Sequence, residues 1–332
     1  MKIAIHHREE SYSEKWIAYC QKNNVDYKVV NCYDSDIVAQ LHDCSGLMWH
    51  WTYSDSKAAH FARQLTYSLE LTGKKVFPDS KTCWHYDDKV GQKYLFEAMD
   101  LPAIPTHLFY DRQDALAWCV KADFPIVLKL RSAGSPFASK VVNRKKEAKK
   151  LIRIAFGIGF PLSDGKPALK GEPLKSSNGL FRSVLSLFVT PKMPTSSQKG
   201  NVCFQDFISQ NHLHSRVLVI GGRAILLNDE ENVPDKRVSE NPVPSETEKL
   251  CIKQAFVASA KLRAQCLAFD FIIHRNKPLL AGISYSCRID KNNRGYWDKD
   301  MNWHSESFVI EDHMIKEFIQ SIKENFFKLI NI

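Results

Sequence analysis

Lys129 closes the apolar run Phe124–Leu128 and is followed by the small residues Ser132, Ala133, Gly134 and Ser135. The run predicts a short strand, which fixes the lysine's ammonium in space. The small side chains let backbone N–H groups approach an anion closely. A lysine beside such a loop is a common seat for the phosphates of a nucleotide. Taken alone, the segment favours the plainer reading of a hairpin whose lysine reaches water. Other chemistries find less support. There is no G-x-S-x-G, H-E-x-x-H, C-x-x-C or G-x-G-x-x-G pattern, and no cysteine stands in a recognisable nucleophile context. The twelve histidines are scattered apart from His6-His7 and His212 with His214, and read as core or surface groups.

Periodicity predicts the elements that hold these residues. Residues 1–78 alternate short apolar strands (2–6, 26–31, 46–51 and one from 74) with amphipathic helices. Ser13 is expected to cap the first helix, and Gly73 to end the one over 56–71. This alternation predicts a parallel sheet flanked by helices. Trp49-His50-Trp51 falls at a strand's C-terminal end, where ligand clefts form, although aromatic packing is expected there. A helix carrying Lys89 and Lys93 stops before Pro102, and a second spans 111–123 ahead of the Lys129 strand. A strand over 139–143 leads into the basic helix 144–153. Residues 159–200, rich in Gly, Pro, Ser and Lys, read as a mobile insertion or lid. Beyond them come the strand 202–208, a hairpin over 216–227 turning at Gly221-Gly222, and a polar loop to 247. A helix from Glu246, two strands and a closing helix complete the chain. In the closing helix Ile310, Met314, Phe318, Ile322 and Phe326 recur at helical spacing.

At 332 residues the chain exceeds one small core. Its 44% hydrophobic and 25% charged content is that of an ordinary globular protein. No apolar run is long enough to cross a bilayer, and the N-terminus reads as a strand and not a secretion signal. The nine cysteines, odd in number, suggest reduced buried thiols in a cytoplasmic protein. The net charge of +9 gathers around 144–153 and Lys166, Lys170, Lys175 and Arg182, with no nucleic-acid-binding signature beside it. A solvated helix face is the expected reading, and a field that draws in nucleotide or acidic substrate comes second.

The order of pieces resembles a known family. An Asp88-Lys89 pair opens a helix leading to P-x-x-P-T (102–106). There follow the Lys129 strand and loop, Gln205-Asp206-Phe207-Ile208, the hairpin R-V-L-V-I-G-G-R (216–223), Asp270-Phe271 and Ile283-Ser284-Tyr285. This succession, from about 87 to 290, resembles the ATP-grasp superfamily, whose members clamp ATP between two α+β subdomains behind an N-terminal α/β domain. Within it the chain is most similar to RimK- and glutathione-synthetase-like ligases. The phrases TCWHYDDK (82–89) and GYWDKDMNWH (295–304) resemble a subgroup found with surface-polysaccharide biosynthesis.

The resemblance implies an α/β and α+β fold in three segments: an N-terminal parallel domain 1–86, a subdomain 87–200 and a C-terminal subdomain 201–332. It implies that Lys89 and Lys129 hold the phosphates of ATP, that Ser132, Gly134 and Ser135 form the loop over them, and that Gln205, Asp206, Phe207 and Ile208 line the adenine. Arg216 and Arg237 would face the acyl phosphate or the carboxylate, and Asp270 with Ser284 would bind Mg2+. The implied activity is ATP-dependent carboxylate–amine ligation on small-molecule acids and amines, without nucleic acid or membrane insertion. A homodimer is left open.

Three positions depart from the family pattern. Gly282 stands where a metal-binding glutamate is expected, His214 replaces an acidic residue two positions before Arg216, and Asn228 replaces a basic residue. Asp229, Glu230 and Asp290 are candidates for a displaced carboxylate. A catalytically weakened nucleotide-binding relative and a kinase on the same scaffold therefore remain alternatives to the ligase.

Overall fold

The structure, a computed structural model, describes residues 1–52, 55–131, 139–161, 197–209, 214–227, 244–286 and 295–330. The chain forms two compact units. The first comprises Met1–Thr52, Lys57–Tyr86 and Asn211–Ile332, and the second Tyr53–Ser56 and Asp87–Gln210. The N-terminal and C-terminal thirds thus share one unit.

In the first unit, strands β1 (Ile3–His6), β2 (Tyr27–Val30), β3 (Gly46–Met48) and β4 (Lys75–Phe77) alternate with helices α1 (Tyr12–Lys22), α2 (Ile37–Gln40), α3 (Ser56–Leu71) and α4 (Ser80–Cys83). The strands pair in parallel in the order β2-β1-β3-β4, as the strand–helix alternation predicts. Two local expectations change. Ser11, and not Ser13, is the N-cap of α1, because Ser11 is the last extended residue and its side chain accepts the Ser13 N–H. The third strand stops at Met48, short of the Trp49-His50-Trp51 triplet. Trp49 and Trp51 are buried, as expected for aromatic packing.

The second unit holds α5 (Lys89–Ala98), β5 (Thr106–Phe109), α6 (Arg112–Lys121), β6 (Ile126–Lys129), β7 (Ser139–Val142), α7 (Lys145–Phe156), the short ladder β8 (Phe160–Pro161) with β9 (Ser197–Gln198), and β10 (Val202–Asp206). Its main sheet is antiparallel in the order β5-β10-β6-β7. Ile126, Leu128 and Phe204 bury one face against Ala115 and Cys119 of α6 and Leu151 and Ile152 of α7. The two-residue period of a strand then sends Lys129, Cys203 and Gln205 to the opposite face. On α7, Lys145, Lys146, Lys150 and Arg153 are exposed while Ala148, Leu151, Ile152 and Ala155 are buried. The basic run is a solvated helix face.

The rest of the first unit consists of β11 (His214–Ile220), β12 (Arg223–Leu227), α8 (Glu246–Leu262), β13 (Cys266–His274), β14 (Lys277–Ser284), β15 (Tyr296–Trp297), β16 (Trp303–His304) and α9 (Ile310–Ile330). The strands form one sheet in the order β14-β13-β11-β12-β15-β16. Gly221 and Gly222 turn the β11–β12 hairpin with φ of 53° and 76°, the left-handed conformation that a two-residue hairpin turn demands. Leu218, Ile220, Cys266 and Ala268 join a single core with Ile3, Ile5, Trp16, Met48 and Phe77 of the N-terminal segment and Met314, Ile315 and Phe318 of α9. That shared core is why segments far apart in sequence belong to one unit. Gly46 has a packing role within it: a Cβ there would lie 2.7 Å from the Phe318 ring.

The eight described cysteines are buried and free. Among the described residues no helix is long and apolar enough to cross a membrane.

Candidate functional site

The start of α5 is pinned to the strand that carries Lys129. Asp88 is the N-cap of α5 and its carboxylate accepts the Gly91 N–H at 2.9 Å. The same carboxylate accepts Nε and Nη2 of Arg131 at 2.9 and 2.7 Å. The Lys89 N–H donates to the Arg131 carbonyl at 2.9 Å. Asp88 and Arg131 therefore hold the first helical turn against the end of β6, and with it Lys89 near Lys129. The pairing of Asp88 with Arg131 is not legible in the sequence, which shows only an aspartate opening a helix.

Lys129 is half-buried, and burial followed by the charge of Lys89 pushes its ammonium below the ordinary lysine pKa. Cys203, directly opposite on β10, is pushed up to about 11 by burial, an effect opposed by the charges of Lys93, Lys129 and Lys89. The charges of three lysines thus bear on one patch of this sheet face. Lys93 is neutralised by Glu97 at 2.5 Å, and Lys89 donates to the Gln92 side-chain oxygen at 3.2 Å. Lys129 has no carboxylate partner among the described residues. The Lys89 charge repels the partly desolvated Lys129 ammonium, and an anion beside both would reverse the sign of that interaction.

Gln205 and Asp206 end β10. The Gln205 amide donates to the Thr106 hydroxyl at 3.2 Å on the Lys129 side of the sheet. Asp206 points the other way, to His107 at 2.9 Å, so its carboxylate is turned from the lysines. Phe207 and Ile208 follow beyond the ladder, half-buried.

The other predicted residues belong to the first unit. Arg216 on β11 is directly across from Asp270 on β13, its Nε 3.0 Å from Oδ1, at ion-pair distance although not aligned as a hydrogen bond. Asp270 is in turn across from Gly282 on β14, where the register shifts. No carboxylate therefore comes from the β14 position beside Asp270. The Ser284 hydroxyl donates to the Ser286 carbonyl at 2.5 Å, so its oxygen keeps its lone pairs for accepting. His214 is exposed and pairs with Ile272. Among the described residues no group of three or more His, Cys, Asp or Glu could hold a metal ion. Ser132, Gly134, Ser135, Asn228, Asp229, Glu230, Arg237 and Asp290 lie outside the described residues, as does 162–196 of the expected insertion.

No family model matches the chain, and no curated protein matches its sequence. Solved structures do match. D-alanine–D-alanine ligase from Bacillus anthracis aligns over 98% of this chain and 99% of its own, with a TM-score of 0.56 and 13% identity. A RimK domain ATP-grasp protein from Sphaerobacter thermophilus aligns over 85% and 90%, with a TM-score of 0.55 and 12% identity. The ATP-grasp ligase PsnB, solved with a precursor peptide and AMPPNP, aligns over 97% and 98%, with a TM-score of 0.52 and 10% identity. The chain has the ATP-grasp fold. The mixed α/β and α+β architecture expected from the sequence, with a parallel N-terminal sheet, is borne out. Identities this low speak to the ATP-grasp fold alone and leave the role of each side chain to its geometry.

Proposed function

We propose that the chain is an ATP-dependent carboxylate–amine ligase working through an acyl phosphate. The reading rests on Lys89 at the head of α5, tied through its N–H to Arg131 at the end of β6, and on Lys129 of the same strand, which has no carboxylate partner among the described residues and whose ammonium is disfavoured by burial and by the Lys89 charge. Two ammonium groups on this side of the sheet suit the phosphates of ATP. The main-chain groups of Phe207 and Ile208, past the end of β10, are free of the ladder and suited to the adenine edge. The loop Ser132, Gly134 and Ser135 is assigned to the phosphates on the sequence resemblance.

In the reaction, a carboxylate oxygen attacks the γ-phosphorus, ADP leaves, and the resulting acyl phosphate is attacked by an amine that expels phosphate and loses a proton. Such phosphoryl transfer asks the protein mainly for positioning and charge neutralisation. Arg216, with Arg237 assigned the same role on the resemblance, would neutralise the acyl phosphate. The residues present suit a magnesium ion held by one carboxylate, Asp270, with the Ser284 hydroxyl, and otherwise by phosphate oxygens and water. Bound there, Mg2+ would polarise the transferring phosphoryl group. The solved ATP-grasp ligases support the reaction class. The resemblance of the TCWHYDDK and GYWDKDMNWH phrases to a surface-polysaccharide subgroup supports an amino acid joined to a sugar acid or a peptide in surface-polymer assembly, and the cysteine pattern supports the cytoplasm.

Incubation with ATP, Mg2+ and panels of acids and amines is expected to release ADP and phosphate in equal amounts with an amide product. Tight ATP binding with no turnover on any pair would overturn the ligase reading. It would favour a weakened relative, the alternative supported by Gly282 standing beside Asp270. A stable phosphorylated product, without free phosphate, would mark a kinase.

A further inference from the structure

We infer that Arg8 anchors a second, non-reacting carboxylate of the substrate at the switch point of the N-terminal sheet. The inference rests on the ligase reading for the identity of the anchored molecule, and on the geometry of Arg8 for the site.

In the order β2-β1-β3-β4 the chain leaves β1 towards one edge and builds β3 and β4 on the other. The carboxyl ends of β1 and β3 therefore flank the crevice where ligands of open parallel sheets bind. Arg8 follows β1 by two residues, and His50 and Thr52 follow β3. The Arg8 backbone is fixed: its N–H donates to the Ser13 hydroxyl at 3.0 Å, and its carbonyl accepts from Ser11 at 2.8 Å. Nη1 makes a long contact of 3.4 Å to the Thr52 hydroxyl. Nε is buried and has no hydrogen-bond partner, and no carboxylate pairs with Arg8 among the described residues. The buried Nε fixes the plane of the guanidinium, and the terminal nitrogens of this half-exposed residue are the edge shaped to grip a carboxylate with two bonds.

A second group stands at the same crevice. His50 is 7% exposed and stacks on Tyr12 with centroids 3.8 Å apart. Its Nδ1 accepts the Tyr12 N–H at 3.3 Å, which leaves the proton on Nε2 to donate to the Ser286 hydroxyl at 2.9 Å. Burial and the charge of Arg8 push His50 down to about 3, so it stays neutral and Arg8 is the cation. The hydrogen of Ser286 is then available to a ligand. Ser286 sits two residues past Ser284, and the Tyr285 hydroxyl donates to the Trp51 carbonyl. These bonds tie the end of β14, the strand across from Asp270, to the end of β3. A molecule gripped by Arg8 and Ser286 would lie where that strand leaves the sheet.

The anchored carboxylate belongs either to a dicarboxylic acid, one end of which is activated, or to an amino acid acting as the amine. Calorimetric titrations without ATP separate these sources, using succinate and glutarate with butyrate as the single-ended control, and alanine and glutamate with ethylamine as the control. At least one carboxylate-bearing probe is expected to bind the wild-type protein and its control not to. Arg8→Gln should weaken that binding roughly 10- to 100-fold, and Arg8→Lys, which keeps the charge but not the two-pronged edge, by less. ATP should bind Arg8→Gln as it binds wild type, which also reports that the variant is folded; if Arg8→Gln fails to fold, Arg8→Lys carries the comparison. Loss with the diacids assigns the site to the acid, and loss with the amino acids assigns it to the amine. Unchanged binding of every probe by the variants, or no probe binding to wild type, would overturn the inference. Failure of ligase turnover would leave these titrations readable.

Discussion

Lys129→Met is expected to bind ATP more weakly by about 2–5 kcal/mol, the usual cost of removing one partner from a desolvated charge contact, which is about 30-fold or more in Kd. The same change should make the ligand-free protein more stable. Burial, and then the Lys89 charge, disfavour the Lys129 ammonium in the folded state, so its folded pKa lies below the unfolded value. For a lysine displaced in that direction the cost is fully present below the folded pKa. It fades as the pH rises from there towards the ordinary value of 10.5. Urea unfolding near neutral pH should therefore find Lys129→Met at least as stable as wild type, with the difference shrinking in alkali. A residue kept for packing would behave in the opposite way, with stability lost and ATP affinity unchanged. Such a trade of stability for a charge is what a binding site imposes on its scaffold.

Asp270→Asn is expected to lower turnover by about 100- to 1000-fold, comparable with removing one donor that stabilises transition-state charge. Calorimetric ATP binding with chelator present should be unchanged, because the two lysines proposed to carry it are untouched. The size of the effect follows from the strand register. Gly282 is the residue across from Asp270 on β14, and no second carboxylate stands at that position. Gly282→Glu tests the same point in reverse. The ligase reading expects no gain in ATP hydrolysis, because the site works with one carboxylate. A gain of about tenfold or more, the scale of a restored charge contact, would identify the chain as a weakened relative.

The sequence carried the local part of this account well. Lys129 on a strand, Lys89 at the head of a helix, the Gly221-Gly222 hairpin and the polar face of α7 are each fixed by a few neighbouring residues, through period and turn chemistry. Partnerships across long separations were not legible. Asp88 and Arg131 meet 43 positions apart, and neither motif advertises the other. Arg216 and Asp270, expected in separate roles on substrate and metal, stand across from each other as an ion pair. The joining of the N-terminal segment to 211–332 through α9 is likewise a property of packing: apolar faces declare that they will be buried, but not against which partner. Arg8 is silent in the sequence for a related reason, since an arginine after a first strand gains meaning only from a fold that buries its Nε without an acceptor.

The proposed site requires that Lys89 and Lys129 act on one anion. The most direct test follows the Lys129 side-chain resonance by NMR through a pH titration, with and without ATP. Without nucleotide the midpoint should lie below 10.5, and Lys89→Met should move it up. With saturating ATP it should rise, as the phosphates replace a repulsive neighbour with an attractive one. A midpoint that neither ATP nor Lys89→Met displaces would mean that the two lysines do not share a site.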